Sequence, residues 1–305
     1  MLIQLADGPG EDARPTIQKE SGKIPAPSKF KACAVRGVAR QIAKVVFILL
    51  PLAFFFPKIV LIYLVCGLYD VSRNSERTLD LFERYFLGKG VPVWLLSPVN
   101  VLLDLLSLPY VNKGVYRLED LPEGHQSEIV ALIEAARRQD LVRQLQQAAS
   151  TQSRSMFFFK WYRANVQTVV RVPEFHDEYK WITTIGVSVF NRRQSTSKHF
   201  GPLRATLRVL YNLDDVVDKS AYIVVGKTTQ YWQDNKLFIF DDTLLHQSFN
   251  ETDRPRYCLF VDIVRPTTMP MAFKFFVRAI GKLMSQRINK VFYGRWKVLK
   301  SPRPM

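Results

Sequence analysis

A chain of 305 residues can bury one full hydrophobic core and keep roughly a hundred residues for extensions. With 48% hydrophobic and 23% charged residues it is neither a disordered chain nor a polytopic transporter. Its formal charge of +16 draws it to polyanions, leaving nucleic acid, anionic lipid surfaces and phosphorylated glycolipids open.

Residues 1–43 mix Pro, Gly and basic side chains without periodicity and are expected to form a flexible basic leader. Residues 44–69 are read as a membrane segment, because Val45 to Tyr69 hold a single charge, Lys58, over a length that suffices to cross about 30 Å of hydrocarbon. The segment starts too far into the chain for a removable signal peptide. Pro51, Pro57 and Lys58 interrupt the run, so a helix-break-helix hairpin in one leaflet competes with the single span that length favours, and a buried soluble helix stays open. Basic residues flank the segment almost equally and leave its orientation undecided.

Residues 70–155 are expected to be interfacial and helical. Val91 to Val111, broken by Pro92, Pro98, Asp104 and Pro109, suits either a membrane interface or packing on the following domain. Residues 119–150 space Ile129, Leu132, Ile133, Ala136, Leu141 and Leu145 as amphipathic helices do. From 156 to 268 the pattern changes to short aromatic and β-branched runs separated by Asn, Asp, Gly and Pro, which predicts an all-β sandwich or barrel. Residues 269–305 return to interleaved Lys, Arg, Phe and Trp, a basic amphipathic tail suited to anionic headgroups, with a helix packed on the domain as the alternative. Three widely spaced cysteines, Cys33, Cys66 and Cys258, argue against a disulfide framework or zinc cluster and fit a reducing compartment.

Four histidines are present, and His199 and His246 fall at the edges of predicted strands. Two imidazoles on one face of a rigid barrel suit non-haem Fe(II). On spacing alone the pair carries little weight, since isolated histidines are commonly structural. The words around them add to it: HFGP at His199 to Pro202, LRVLYNL at Leu207 to Leu213, Trp232, FIFDDTLLH at Phe238 to His246 and RYCLFVDIVRP at Arg256 to Pro266. In order and spacing these words resemble the aspartyl/asparaginyl β-hydroxylase family of Fe(II)/2-oxoglutarate oxygenases, over about a third of the chain. The layout around them looks like the bacterial lipid A hydroxylases.

The resemblance implies a mainly β, double-stranded β-helix (jelly-roll, cupin-like) fold, with His199 and His246 as iron ligands. It also implies that Arg256 binds the distal carboxylate of 2-oxoglutarate, with Ser188 and Arg208 as further co-substrate contacts. A guanidinium suits this task because it grips a carboxylate with two bonds and stays charged when buried. The alternative partners for Arg256 are Asp241, Asp242 and Asp262. Arg192, Arg193 and Arg204 are candidates for substrate phosphates or carboxylates. The chain departs from the family at Leu210, where a second co-substrate histidine usually stands, and at Gly201, where a carboxylate ligand would complete a facial triad.

The function implied is a membrane-associated dioxygenase that uses Fe(II), 2-oxoglutarate and O2 to hydroxylate an unactivated C–H, on a fatty acyl chain of lipid A or a related membrane lipid. A peptidyl Asp/Asn β-hydroxylase and a catalytically lapsed module that binds anionic lipid are the alternatives. The expected partners are a membrane lipid substrate and an anionic membrane surface, with no nucleic acid. The expected location is the cytoplasmic face of a bacterial inner membrane, where iron and 2-oxoglutarate are supplied.

Overall fold

The computed structural model describes residues 47, 50–148, 154–284 and 297–298. The chain divides into units 1–48 and 49–305, and all of the strands, with every helix from Pro57 onward, belong to the second. The basic leader and residues 44–46, 48 and 49 lie outside the described residues.

Eight strands build the core: β4 (Ile182–Phe190), β5 (Gln194–Ser195), β6 (Thr206–Asn212), β7 (Ala221–Val225), β8 (Thr228–Tyr231), β9 (Leu237–Phe240), β10 (His246–Asn250) and β11 (Arg256–Val264). Before them come β1 (Val115–Tyr116), β2 (Arg154–Trp161) and β3 (Ala164–Asn165), and β12 (Lys297–Val298) comes after. One sheet runs β1-β9-β6-β11-β4-β2-β12 with β3 on β2, and the other runs β5-β10-β7-β8. Because the chain passes back and forth between the sheets from β4 to β11, the topology is an eight-stranded antiparallel jelly roll.

The unbroken apolar runs of β2, β4 and β11 reflect burial on both faces of the large sheet. Alternate residues go opposite ways. Phe157, Phe159, Val187, Val209 and Val261 pack outward against helices α5 (Glu123–Arg138) and α6 (Leu141–Ala148), which place Ile129, Leu132, Ala136 and Leu145 in the same cluster. Met156, Phe158, Leu210, Phe240, Cys258 and Phe260 face the small sheet and meet Ala221, Ile223 and Val225.

The anchor region differs from expectation. Residues 50–55 are helical, the helix stops at Phe56, and α1 (Pro57–Ser72) starts afresh. Pro57 explains the break: it has no N–H and keeps the preceding residue out of the helical region, so Phe56 takes φ −134° and ψ 56°. The single 25-residue span is therefore corrected. No helix among the described residues is long and apolar enough to cross a membrane. Helices α2 (Leu79–Phe86), α3 (Val91–Leu95) and α4 (Ser97–Leu106) come next, and α7 (Pro270–Met284) closes on α4 through Leu103, Phe273 and Val277. The tail is not helical throughout, since Lys297 and Val298 pair in parallel with Ser155 and Met156.

Candidate active site

His199 and His246 face each other across an antiparallel bridge, each backbone N–H donating to the other's carbonyl at 3.0–3.1 Å. A directly opposed pair puts both side chains on one face, and the ring centroids lie 4.2 Å apart. Each Nδ1 donates to a backbone carbonyl two residues back, Ser197 at 2.7 Å and Leu244 at 2.8 Å. That fixes the tautomer and leaves both Nε2 lone pairs available as ligands. Burial holds the His199 imidazole down to about 4 and His246 well below its ordinary value, so both rings are neutral at pH 7, the state a metal requires.

Below His246 on the inner face of β10 comes Ser248, and its Oγ accepts from Arg256 Nη2 at 2.9 Å. Arg256 is buried between the rings of Phe190 and Trp232, its guanidinium carbon 4.5 and 5.4 Å from their centroids. The guanidinium also borders the Cys258 thiol, but no oxygen accepts from its Nε or Nη1, nor from the indole Nε1 of buried Trp232. The pairing of Arg256 with Asp241, Asp242 or Asp262 is therefore not found. Buried donors without acceptors are costly, and three of them on two neighbouring side chains suit an anionic guest. Desolvation lowers the Arg256 guanidinium from its ordinary value, and a bound carboxylate would offset that cost. Ser188, opposite Cys258 in the register, is buried beside it and donates to the Cys258 carbonyl at 3.3 Å. Leu210 lies on the same inner face and supplies only apolar surface.

Arg208 sits under the histidines and is engaged by two carboxylates, Asp262 Oδ1 at 2.6 Å and Asp242 Oδ2 at 2.8 Å, with its guanidinium 3.7 Å over the Phe260 ring. Asp242 is the residue that spacing alone did not single out. A Cβ at Gly201 would overlap its carboxylate, and Gly201 N–H donates to its backbone carbonyl at 2.6 Å. The space that a carboxylate at position 201 would fill is thus taken by the Asp242 carboxylate, reaching in from the turn between β9 and β10. Burial pushes this carboxyl up while the Arg208 guanidinium pulls it down. Among the described residues no three His, Cys, Asp or Glu side chains converge on one metal position, so the donor set is two imidazoles. Two neutral imidazoles with free Nε2 atoms, on the same strand face as the serine that holds a buried guanidinium with unpaired nitrogens, fit Fe(II) and a dicarboxylate co-substrate.

The three substrate arginines do not join this site. Arg204 is 1% exposed and bonded to Asp70 at 2.6 Å and Asp104 at 2.5 Å, so a substrate cannot reach it; its role is structural. Arg192 and Arg193 lie in the turn after β4, where Arg193 N–H donates to Thr252 and its side chain pairs with Asp253 at 2.8 Å. Thr252 lies six residues beyond His246, about 20 Å along an extended chain, which places both arginines at the opposite end of the sandwich. A polar cleft of about 380 Å³ lined by Lys160, Tyr162, His176 and Arg278, among others, contains none of the site residues.

The sequence model of the aspartyl/asparaginyl β-hydroxylase family matches residues 126–266. An ornithine lipid ester-linked acyl 2-hydroxylase of Rhizobium tropici is 37% identical over 94 residues, covering 30% of this chain and 33% of that protein. The rat aspartate beta-hydroxylase domain-containing protein 2 is 31% identical over 83 residues, covering 26% of this chain and 24% of that protein. The chain thus spans between a quarter and a third of the length of the curated relatives it matches. Among solved structures, a predicted oxalate decarboxylase of Thermotoga maritima aligns with 28% of this chain and 68% of its own, at TM-score 0.24 and 12% identity.

Proposed function

Residues 126–266 belong to the aspartyl/asparaginyl β-hydroxylase family, and on that premise we propose that the chain is an Fe(II)- and 2-oxoglutarate-dependent hydroxylase acting on a fatty acyl chain of lipid A or a related membrane lipid. The observation that carries the reading is the pair of neutral imidazoles with free Nε2 atoms set above a buried guanidinium with two unpaired N–H groups. His246 and Ser248 are two residues apart on one face, about 7 Å. A five-carbon dicarboxylate chelating at one end and gripped at the other suits that interval.

Bound Fe(II) with 2-oxoglutarate and O2 would supply an oxidant for an unactivated C–H, coupled to decarboxylation of the co-substrate to succinate. The chain's own residues do the positioning. His199 and His246 hold the metal, and their Nδ1 hydrogen bonds lock the rings before it arrives. Arg256 Nε and Nη1 bind the distal carboxylate, and Trp232 Nε1–H donates beside them in place of the histidine that Leu210 lacks. Asp242, kept in place by Arg208, sets a carboxylate against the metal ligands without being one, and Phe240 and Phe260 keep water from the reacting face.

An acyl chain is favoured as substrate by the ester-linked acyl 2-hydroxylase among the relatives. The deciding experiment is succinate release from 2-oxoglutarate with Fe(II) and ascorbate, for wild type and His246→Ala, with and without lipid A or an ornithine lipid. Lipid-stimulated turnover that disappears in the variant is the expected result. Silence of the wild type together with absent Fe(II) binding would replace the enzyme with an anionic-lipid-binding jelly roll.

A further inference from the structure

Apolar surface is distributed very unevenly over the molecule. Among the described residues of the 49–305 unit, 19 of the 25 exposed large apolar side chains lie between residues 50 and 111, and three more, Met269, Met271 and Phe275, belong to the segment packed against them. Single exposed apolar residues are ordinary, but a concentration of this size marks an interaction surface.

The segments that carry it form one layer. Helix α1 meets α4 where the Tyr69 hydroxyl donates to Asp104 Oδ2 at 3.4 Å. The Thr267 and Thr268 hydroxyls, just before α7, donate to the carbonyls of Leu106 and Leu108 at 2.9 and 3.4 Å. Outward from this layer point Ile62 and Val65 on α1, Leu102 and Leu105 on α4, and Met271 and Phe275 on α7.

Helix α1 identifies the occupant. No residue from Pro57 to Cys66 is buried, and the exposed apolar residues Ile59, Leu61, Ile62, Leu64 and Val65 cover an arc of about 220° at 100° per residue, while Trp94 donates to the Tyr63 carbonyl on the remaining side. A partner protein or a second copy covers one side of a helix. Acyl chains wrap an arc this wide, and a helix satisfies its own backbone polar groups among them. Ten helical residues rise about 15 Å, enough to enter one leaflet and too few to cross about 30 Å of hydrocarbon. Lys58 is the one charge between residues 50 and 69, and with the helix lying obliquely in the leaflet its four-carbon stem brings the ammonium toward headgroup phosphates. A chain of formal charge +16 favours an anionic leaflet.

We propose that α1, α4 and the start of α7 dock in the acyl layer of one leaflet of an anionic bilayer, as a monotopic surface that sets the histidine-bearing segments against the lipid. The link to the histidines is direct. Asn74, just past α1, accepts the Leu245 N–H at 2.8 Å, next to His246. Phe200, next to His199, packs with Val71, Tyr85 and Trp94. The purpose of the surface, delivering an acyl chain, rests on the hydroxylase reading, whereas its existence is testable without turnover.

The test is flotation of the full purified chain with phosphatidylcholine vesicles, with and without phosphatidylglycerol. Wild type and His246→Ala should float equally, better with phosphatidylglycerol. Ile62→Glu/Val65→Glu and Leu105→Glu/Phe275→Glu should each reduce partitioning at least tenfold while keeping the wild-type circular dichroism, and Val217→Glu, exposed outside the layer, should float normally. Wild type remaining with the aqueous phase as a dimer that the same substitutions dissociate would assign the face to a second copy. Flotation that requires phosphatidylglycerol and ignores the apolar substitutions would reduce the contact to surface charge. Either result overturns the proposal while leaving the succinate assay to judge the chemistry.

Discussion

A glycine stands at position 201 because the Asp242 carboxylate needs the space. Gly201→Ala should therefore push Asp242 off Arg208, weaken Fe(II) or Mn(II) binding, and cost about 1–3 kcal/mol of stability, the usual range for overpacking. Metal titration beside urea denaturation checks this, and unchanged values for both would remove Asp242 from the site. Trp232→Phe keeps the ring stacked on Arg256 and deletes only the N–H. With Mn(II) present, calorimetric 2-oxoglutarate affinity should fall roughly 10- to 150-fold, the equivalent of about 1.5–3 kcal/mol for one buried hydrogen bond to a charged group. Arg256→Lys should lose at least as much, because an ammonium cannot reproduce the guanidinium fork. At this scale the words around the histidines and Arg256 singled out residues that the fold does bring to one face of the sandwich, His199 opposite His246 and Arg256 buried against Ser248. The Asp242 carboxylate against Gly201 and the unpaired Trp232 N–H were not legible, because each sits in a turn whose neighbours are set only when the sheets come together.

Arg204 shows how elements are joined. It binds Asp70 of α1 and Asp104 of α4, while Arg265, after β11, takes the other Asp104 oxygen at 2.5 Å. Asp241 completes the joint by accepting from Arg73 at 2.7 Å and Asn112 at 2.5 Å; burial alone would raise its carboxyl, but Arg73 and Arg204 hold it well below the ordinary range. Removing one member of a buried ionic cluster leaves uncompensated charge, so Arg204→Met should cost about 3–5 kcal/mol in urea denaturation. Loss of less than about 1 kcal/mol would mean the cluster is loosely held. Helix α5 is tied in by His125, whose Nε2–H donates to the Val264 carbonyl at 2.9 Å while its ring stacks on Trp181 at 4.2 Å. Burial lowers this imidazole to about 4 from 6.5. The unfolded chain takes up the proton first as pH falls, so the stabilisation is full above pH 6.5 and is lost as pH falls toward 4. The contribution is up to about 3 kcal/mol. In His125→Gln the decline of unfolding free energy between pH 6.5 and 4 should be shallower by up to one proton, and an unchanged slope would show the ring is solvated.

For the whole molecule, the orphan donors inside the sandwich predict that ligands which fill the site stabilise the fold. With Mn(II) bound, 2-oxoglutarate at a hundred times its dissociation constant should add about 2.7 kcal/mol, read as a higher melting temperature that His246→Ala loses. No shift in the wild type would mean that the anion space is filled otherwise. Much of this architecture was set by the sequence itself. The change near residue 156 from helical spacing to short aromatic and β-branched runs separated helices from sandwich, whereas burial of the large sheet on both faces came from the structure. Local chemistry also placed the break at Pro57, though not its consequence, because hydropathy over 25 residues does not register where a helix restarts. Only the tertiary structure decided which charges were structural. Arg204 and Arg208 look alike as isolated basic residues. Side-chain function depends on what the opposing strand or helix presents within a few ångströms, and no pattern along one chain segment contains that distance.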